Sequence, residues 1–198
     1  MIEQSLVLMK PDAVQRGIVG EILARFEKVG LKMVAVKLMQ ADEALAQKHY
    51  PDSDDWKRKV GERTIDDCEK YGIDLMENMG TEDPIEVGSI VKQWNVDFLT
   101  SGPVLAIVFE GLNAVERVRS LVGHTVPSKA AAGTIRGDYS LDSAIGANRR
   151  KRTIYNLIHA SENSEIAEKE VKLLFNSHEL FEWEKMDLDF VYLPDEKK

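Results

Sequence analysis

The sequence predicts one layered α/β domain, a sandwich in which helices cover a sheet. Three observations predict it. Apolar runs with strand character alternate with stretches of helical spacing, in the order β, α, β, α and then β, α, β, α again. The 198 residues suit one domain and are enough to bury a core. With 43% apolar and 30% charged residues, the composition is that of a folded soluble chain, not a disordered one.

Each element has a local reason. Ser5 to Met9, SLVLM, reads as a strand stopped by Lys10-Pro11-Asp12, because proline lacks an N–H and fixes its own φ. Gly17 to Val29 places Ile18, Ile22, Phe26 and Val29 at helical spacing, with Gly30 as C-cap. Leu31 to Met39 partly alternates apolar and polar residues and reads as a strand. Ala41 to Tyr50 reads as a short helix ended at Pro51. Pro103 to Phe109, PVLAIVF, is the most apolar strand candidate. Asn113 to Val122 reads as a helix capped by Asn113. Gly123 to Asp138 is rich in Gly, Ala and Thr and is expected to be irregular. Ile154 to Ile158 reads as a short strand. Ser164 to Phe175 reads as a helix with Ala167, Val171, Leu174 and Phe175 on one stripe. No S-x-x-E capping box precedes it, so its start rests on simple Ser/Asn capping.

Charge is unevenly spread. Between Asp52 and Asp97 thirteen acidic side chains face six basic ones, a net of −7 out of the chain's −8. Ile65, Cys68, Leu75, Met76 and Met79 give that segment helical periodicity, so it reads as a folded, solvated helical insertion, with an acidic partner-binding surface as the competing reading. The negative balance argues against general nucleic-acid binding, which needs a basic surface. A single cysteine, Cys68, permits no intrachain disulfide. No apolar run approaches membrane-spanning length, and the N-terminal stretch lacks the basic lead and long apolar core of a signal peptide. The expectation is a cytoplasmic protein with no membrane partner.

The chemistry-bearing residues are few. Of His49, His124, His159 and His178, His159 stands apart, because it closes an apolar run in NLIHASENSEIAEKE. Ser161 supplies a nearby hydroxyl, and Glu170 in the following helix is placed to hold one imidazole nitrogen. An imidazole fixed on one nitrogen offers the other as nucleophile or base. A lone histidine is more often a surface or capping residue, so this reading needs the neighbours. There is no G-x-x-x-x-G-K-[ST] loop, no G-x-G-x-x-G and no G-x-S-x-G. Histidine spacing and the lone cysteine give no metal motif. What remains are scattered cations near element ends, Lys10, Arg119 and Arg136, which with Thr125 and the histidine make an anion pocket if the fold gathers them.

The blocks LVLMKPDAVQRGIVGEILARFEKVGLKMVAVKLM, SGPVLAIVFEGLNAVERVRSLVGHT, GTIRGDY and NLIHASENSEIAEKEVKLLF closely resemble nucleoside diphosphate kinases, in the family's order, and together make up a little under half of the chain. The N-x-I-H-x-S-[DE] pattern around His159 is the most specific of them. The resemblance implies a ferredoxin-like sandwich with a four-stranded, mainly antiparallel sheet. It implies a ping-pong exchange between nucleoside triphosphates and diphosphates. Carried over by motif, His159 is the phosphorylated nucleophile, with Glu170 on its other nitrogen and Ser161 close by. Tyr50 of the HY pair supports the histidine. Lys10, Arg119, Thr125, Arg136 and Asn156 bind phosphates and ribose. Mg²⁺ bridges the nucleotide phosphates without a protein ligand. The resemblance also implies a homo-oligomer, a hexamer or a tetramer.

Two departures stand out. Asp52 to Thr100 replaces a short helical hairpin that in the family carries an aromatic ring for the base; Trp94 and Phe98 are the candidates here. A second, smaller insertion covers about Ser140 to Thr153 and includes Arg149-Arg150-Lys151-Arg152, either a solvated loop or a run near the nucleotide mouth or a subunit contact. A nucleotide-responsive binding module with little catalysis is the alternative reading, favoured only if the nucleophile fails to react.

Overall fold

The computed structural model of the chain describes residues 2–186. Its elements run β1 (Ile2–Met9), α1 (Pro11–Gln15), α2 (Val19–Lys28), β2 (Lys32–Gln40), α3 (Glu43–His49), α4 (Asp54–Lys70), α5 (Leu75–Met79), α6 (Pro84–Thr100), β3 (Pro103–Leu112), α7 (Ala114–Val122), α8 (Ile135–Tyr139), α9 (Ala144–Arg149), β4 (Ile158–Ala160) and α10 (Ser164–Leu174). The sheet has the order β2-β3-β1-β4, and every neighbouring pair is antiparallel. This is the predicted ferredoxin-like sandwich.

Strand alternation builds two cores, one on each face of the sheet. Leu6 and Leu8 of β1 face Ala46 of α3, Val96 and Leu99 of α6, and Val171 and Leu174 of α10. Val7 and Met9 face Ile22 and Phe26 of α2 and Val118 and Val122 of α7. β1 is central, so its Lys10 end is anchored from both sides. No helix among the described residues is long and apolar enough to cross a membrane.

The acidic segment is helical, as its periodicity predicts, with Cys68 and Met79 buried. Ser53, Asp74 and Asp83 cap α4, α5 and α6 by accepting amides of their first turns. α4 and α6 cross at two glycines. A Cβ at Gly61 would stand 1.8 Å from the Pro84 carbonyl oxygen, and one at Gly88 2.0 Å from that of Lys57. The two backbones therefore touch directly.

Three local expectations are corrected. Asn113 sits at the cap position of α7, but with φ 50 and no side-chain bond; Glu3 Oε1 of β1 accepts the Val115 amide instead. The Gly123–Asp138 stretch is not wholly irregular, since Thr134 Oγ1 accepts the Gly137 amide and caps α8. The strand expected over Ile154 to Ile158 begins only at Ile158, for a reason that belongs to the site.

Candidate functional site

The approach to β4 is a tight turn. Ile158 donates its amide to the Asn156 carbonyl (2.8 Å) across Leu157, whose φ is 69. An apolar residue rarely holds a positive φ, and such strain persists only where surroundings fix it. Here Leu157 donates its amide to Asp12 Oδ2 (3.0 Å), and its carbonyl accepts the Lys10 amide (2.8 Å). Asp12 is itself buried, and burial raises its pKa. The turn delays the strand, sets His159 opposite Leu8 of β1, and couples the histidine segment to the end of the central strand.

His159 Nε2 lies 2.8 Å from Glu170 Oε1. Ser161 donates to Glu170 Oε2 (2.6 Å) and accepts the Leu6 amide (3.2 Å). Both carboxylate oxygens are thus occupied, and the bond commits one imidazole nitrogen, leaving Nδ1 as the other. Ser161 is fully buried behind Glu170, so it orients the carboxylate and does not face the cavity.

A cavity of about 990 Å³ opens in front of His159. Lys10, Tyr50, Arg119, Thr125, Arg136 and Asn156 all line it, so the topology gathers the cations that the sequence leaves scattered. Lys10 is buried and donates to Asn156 Oδ1 (2.8 Å); burial, helped by the Arg136 charge, lowers its pKa to about 8. Asn156 Nδ2 in turn donates to the Thr125 carbonyl (2.9 Å). Arg136 donates to three carbonyls, those of Asn156 (3.2 Å), Gly123 (2.9 Å) and Ile158 (2.6 Å), which leaves two of its five N–H groups for a ligand. Burial and the neighbouring Arg119 lower its pKa to about 10. The Tyr50 hydroxyl is buried without a partner, and burial raises its pKa.

His49 was not singled out by the sequence reading, although it belongs to the HY pair. It is 8% exposed, neither ring nitrogen has a partner, and its ring packs edge-on against His159 with centroids 4.5 Å apart. Burial, with His159 and Lys10 nearby, holds its pKa well below the usual histidine range, so it is neutral. Donor atoms of His49, His159 and Glu170 lie within 4.8 Å of one another. That nitrogen-rich set suits a transition ion better than Mg²⁺, which takes oxygen ligands.

The far wall of the cavity comes from the segments 52–100 and 140–153. α4 contributes Trp56, Arg63, Thr64 and Asp67, and α6 contributes Trp94 and Asn95. Asn148 and Arg152 come from the smaller insertion. Of the two expected stacking rings, Trp94 faces the cavity. Phe98 does not: it is buried and stacks on Tyr155, with centroids 4.5 Å apart at 15°. Trp56 was missed, because a tryptophan in the first turn of an acidic helix reads as surface until the helix is placed. The basic run is not a free loop either. Arg152 pairs with Asp142 (2.7 Å) and Lys151 donates to the Glu77 carbonyl (3.0 Å), whereas Arg149 and Arg150 are exposed.

A profile of the nucleoside diphosphate kinase family matches residues 3–63 and 91–180. The stretch between those ranges, 64–90, falls inside the segment expected to be inserted. The nucleoside diphosphate kinase of Pyrobaculum aerophilum is 46% identical over 181 residues, covering 91% of this chain and 99% of that protein. The crystal structure of an NDP kinase from Pyrobaculum aerophilum superposes with a TM-score of 0.90 at 44% identity, over 92% of this chain and 100% of that one. A transition-state mimic of the Borrelia burgdorferi enzyme, with bound vanadate and ADP, gives 0.74 at 35% identity, over 94% of each chain.

Proposed function

Because the chain belongs to the nucleoside diphosphate kinase family, we propose that His159 carries the phosphoryl group that the enzyme passes from a nucleoside triphosphate to a nucleoside diphosphate. The observation that carries this assignment is the His159–Glu170 bond beside the cation-lined cavity. With Nε2 committed to Glu170, Nδ1 attacks the terminal phosphorus. The Nδ1–P bond forms as the bond to the bridging oxygen breaks, and the nucleoside diphosphate leaves with that oxygen. A second diphosphate, bound in the same place, attacks with a terminal oxygen, and the N–P bond breaks in return. Glu170 stabilises the charge on the imidazole in both halves. The two halves are near mirror images, which suits a freely reversible exchange.

Lys10, Arg119 and Arg136 supply the positive charge that this transfer needs. Arg136 presents its two uncommitted N–H groups to phosphate, Thr125 its hydroxyl, and Asn156 links Lys10 to the Thr125 loop. The Tyr50 hydroxyl and the neutral His49 are unpaired polar groups in the cavity wall, His49 with its ring against that of His159. Mg²⁺ fits as an ion that arrives on the nucleotide, neutralising its phosphates. Asp12 and Glu170, the buried carboxylates here, already accept hydrogen bonds from the protein.

A homo-oligomer in the cytoplasm is the proposed setting. β2 is a sheet edge whose Val36 and Leu38 are 49% and 63% exposed, an apolar strip that a second copy would cover. Cys68 is a free thiol. Sedimentation velocity measures the assembly directly.

The chemistry is tested with γ-labelled ATP and Mg²⁺. The protein takes up an acid-labile, base-stable label that a nucleoside diphosphate removes, and His159→Ala takes up none. Nucleotide binding without any label in the parent protein would leave a binding module instead.

A further inference from the structure

We infer that the two inserted segments form one clamp on the nucleoside end of the cavity, and that Asn78 and Lys151 latch it without taking part in phosphoryl transfer. The inference rests on the reading of the cavity as a nucleotide site.

The clamp has a rigid half and a latch. The rigid half is the α4–α6 pair, held backbone to backbone at Gly61 and Gly88. α6 is rooted in the core through Val96 and Leu99, and buried Lys92 ties it to Asp52 at the start of the segment (2.7 Å). Trp56, Arg63 and Asp67 lie along one face of α4, at spacings of seven and four residues, and all line the cavity. No residue of α4 beyond Asp67, and none of α5, lines the cavity. What holds them is the second insertion. Asn78 Nδ2 donates to the Asn148 carbonyl (2.9 Å), Lys151 Nζ donates to the Glu77 carbonyl (3.0 Å), and Asn148 Nδ2 approaches Cys68 Sγ (3.7 Å). These contacts join chain segments 70 to 80 residues apart.

The latch residues are separate from the site they serve. Neither Asn78 nor Lys151 lines the cavity, while Asn148 and Arg152 beside them do. Releasing the latch leaves Lys10, His159, Glu170 and Arg136 untouched, because each is bonded within the sheet-linked part of the chain. It lowers only the fraction of molecules whose far wall is in place, and apparent affinity falls by that fraction. Asn78 and Lys151 are therefore positioning residues for the nucleoside.

Asn78 Oδ1 is buried without a partner, so Asn78→Ala sheds an uncompensated acceptor along with the donor. Lys151 is exposed, and Lys151→Ala is the second, independent variant. Together they raise the KM for nucleoside triphosphate about five- to tenfold, while kcat at saturation stays within about twofold. Inhibition by inorganic tripolyphosphate, which reaches only the phosphate end, is unchanged. Lys151→Arg, which keeps a donor, restores most of the loss. Unchanged KM in both single variants overturns the inference. So does a parallel fall in kcat, or an equal weakening toward tripolyphosphate. Calorimetric ADP binding reads the latch even if the parent protein forms no phosphohistidine, so failure of the latch and failure of the chemical assignment give different results.

Discussion

On the reading proposed above, the cavity has a phosphate end beside His159 and a nucleoside end against α4 and α6, and the two are built in opposite ways. At the phosphate end Lys10, Arg136, Asn156, Ser161 and Glu170 are buried, and each is bonded to a neighbour that is itself held by the sheet. At the nucleoside end Trp56 and Trp94 are half-buried and Arg63 is exposed, on helices that reach the core mainly through the lower part of α6. The difference separates two demands. Transfer of a phosphoryl group needs atoms fixed to a fraction of an ångström, which requires a network with few alternatives. Holding a base needs a ring and a wall, which helices packed beside the sheet can provide.

The comparison breaks most visibly at Arg136. Its guanidinium serves both structure and charge, so Arg136→Ala strands three carbonyls. Stability falls by about 4.5 kcal/mol, the lower end for three charge-assisted bonds, and turnover falls about a hundredfold or more. Urea unfolding and steady-state rates on the same preparation check both. Turnover lost at unchanged stability would show that the three carbonyls find other partners.

Glu170→Gln is smaller in effect and more specific. The amide keeps the shape but cannot accept on both sides while offsetting charge on the imidazole. kcat falls about a hundredfold through misplacement of one ring, and ADP binding by calorimetry is unchanged. A matching loss of ADP affinity would mean that Glu170 shapes the cavity rather than the nucleophile.

The same division governs what the sequence discloses. The phosphate end is legible because its residues sit in short local patterns: the strand stop at Lys10-Pro11, NLIH and GTIRGD each carry their role within a few positions. What joins them is not local. Nothing near Leu157 announces the positive φ that delays β4, because the turn is imposed by Asp12, 145 residues away. The nucleoside end is less legible. Trp94 and Phe98 share one helix and look alike on it, yet Tyr155 takes Phe98 out of the cavity. The basic run reads as a loop until Asp142 and the Glu77 carbonyl engage Arg152 and Lys151. Helical periodicity reveals that the acidic segment folds, and tertiary partners decide which face it shows.

Trp94→Ala sharpens the comparison from the other end. Loss of one stacking surface costs about 1–3 kcal/mol per base, and at its middle this raises KM about thirtyfold. kcat at saturation and the yield of phosphohistidine are unchanged. The loss is similar for all four bases, since every base offers a face to the ring. A loss confined to one base would mean that the wall reads base edges, with Arg63 and Asp67 the polar groups placed to do so.

The smallest effect is the most diagnostic of burial at the phosphate end. Lys10 is lowered from its ordinary 10.5 to about 8, first by burial and then by the Arg136 charge. Phosphate binding needs the ammonium form, so kcat/KM, which reports the free enzyme, is halved near pH 8 and declines above it. Stability moves the opposite way. Between about 8 and 10.5 the unfolded chain holds a proton that the folded chain has released, so unfolding free energy rises with pH across that window. Below about 8 both states hold the proton and Lys10 contributes no slope. Urea unfolding at pH 7.5 and 9.5, set beside kcat/KM at the same values, reads the two signs together. Lys10→Arg stays charged throughout and flattens the alkaline limb of kcat/KM. If that variant declines as the parent does, another group titrates near pH 8, and the buried ammonium is not the one that receives the phosphate.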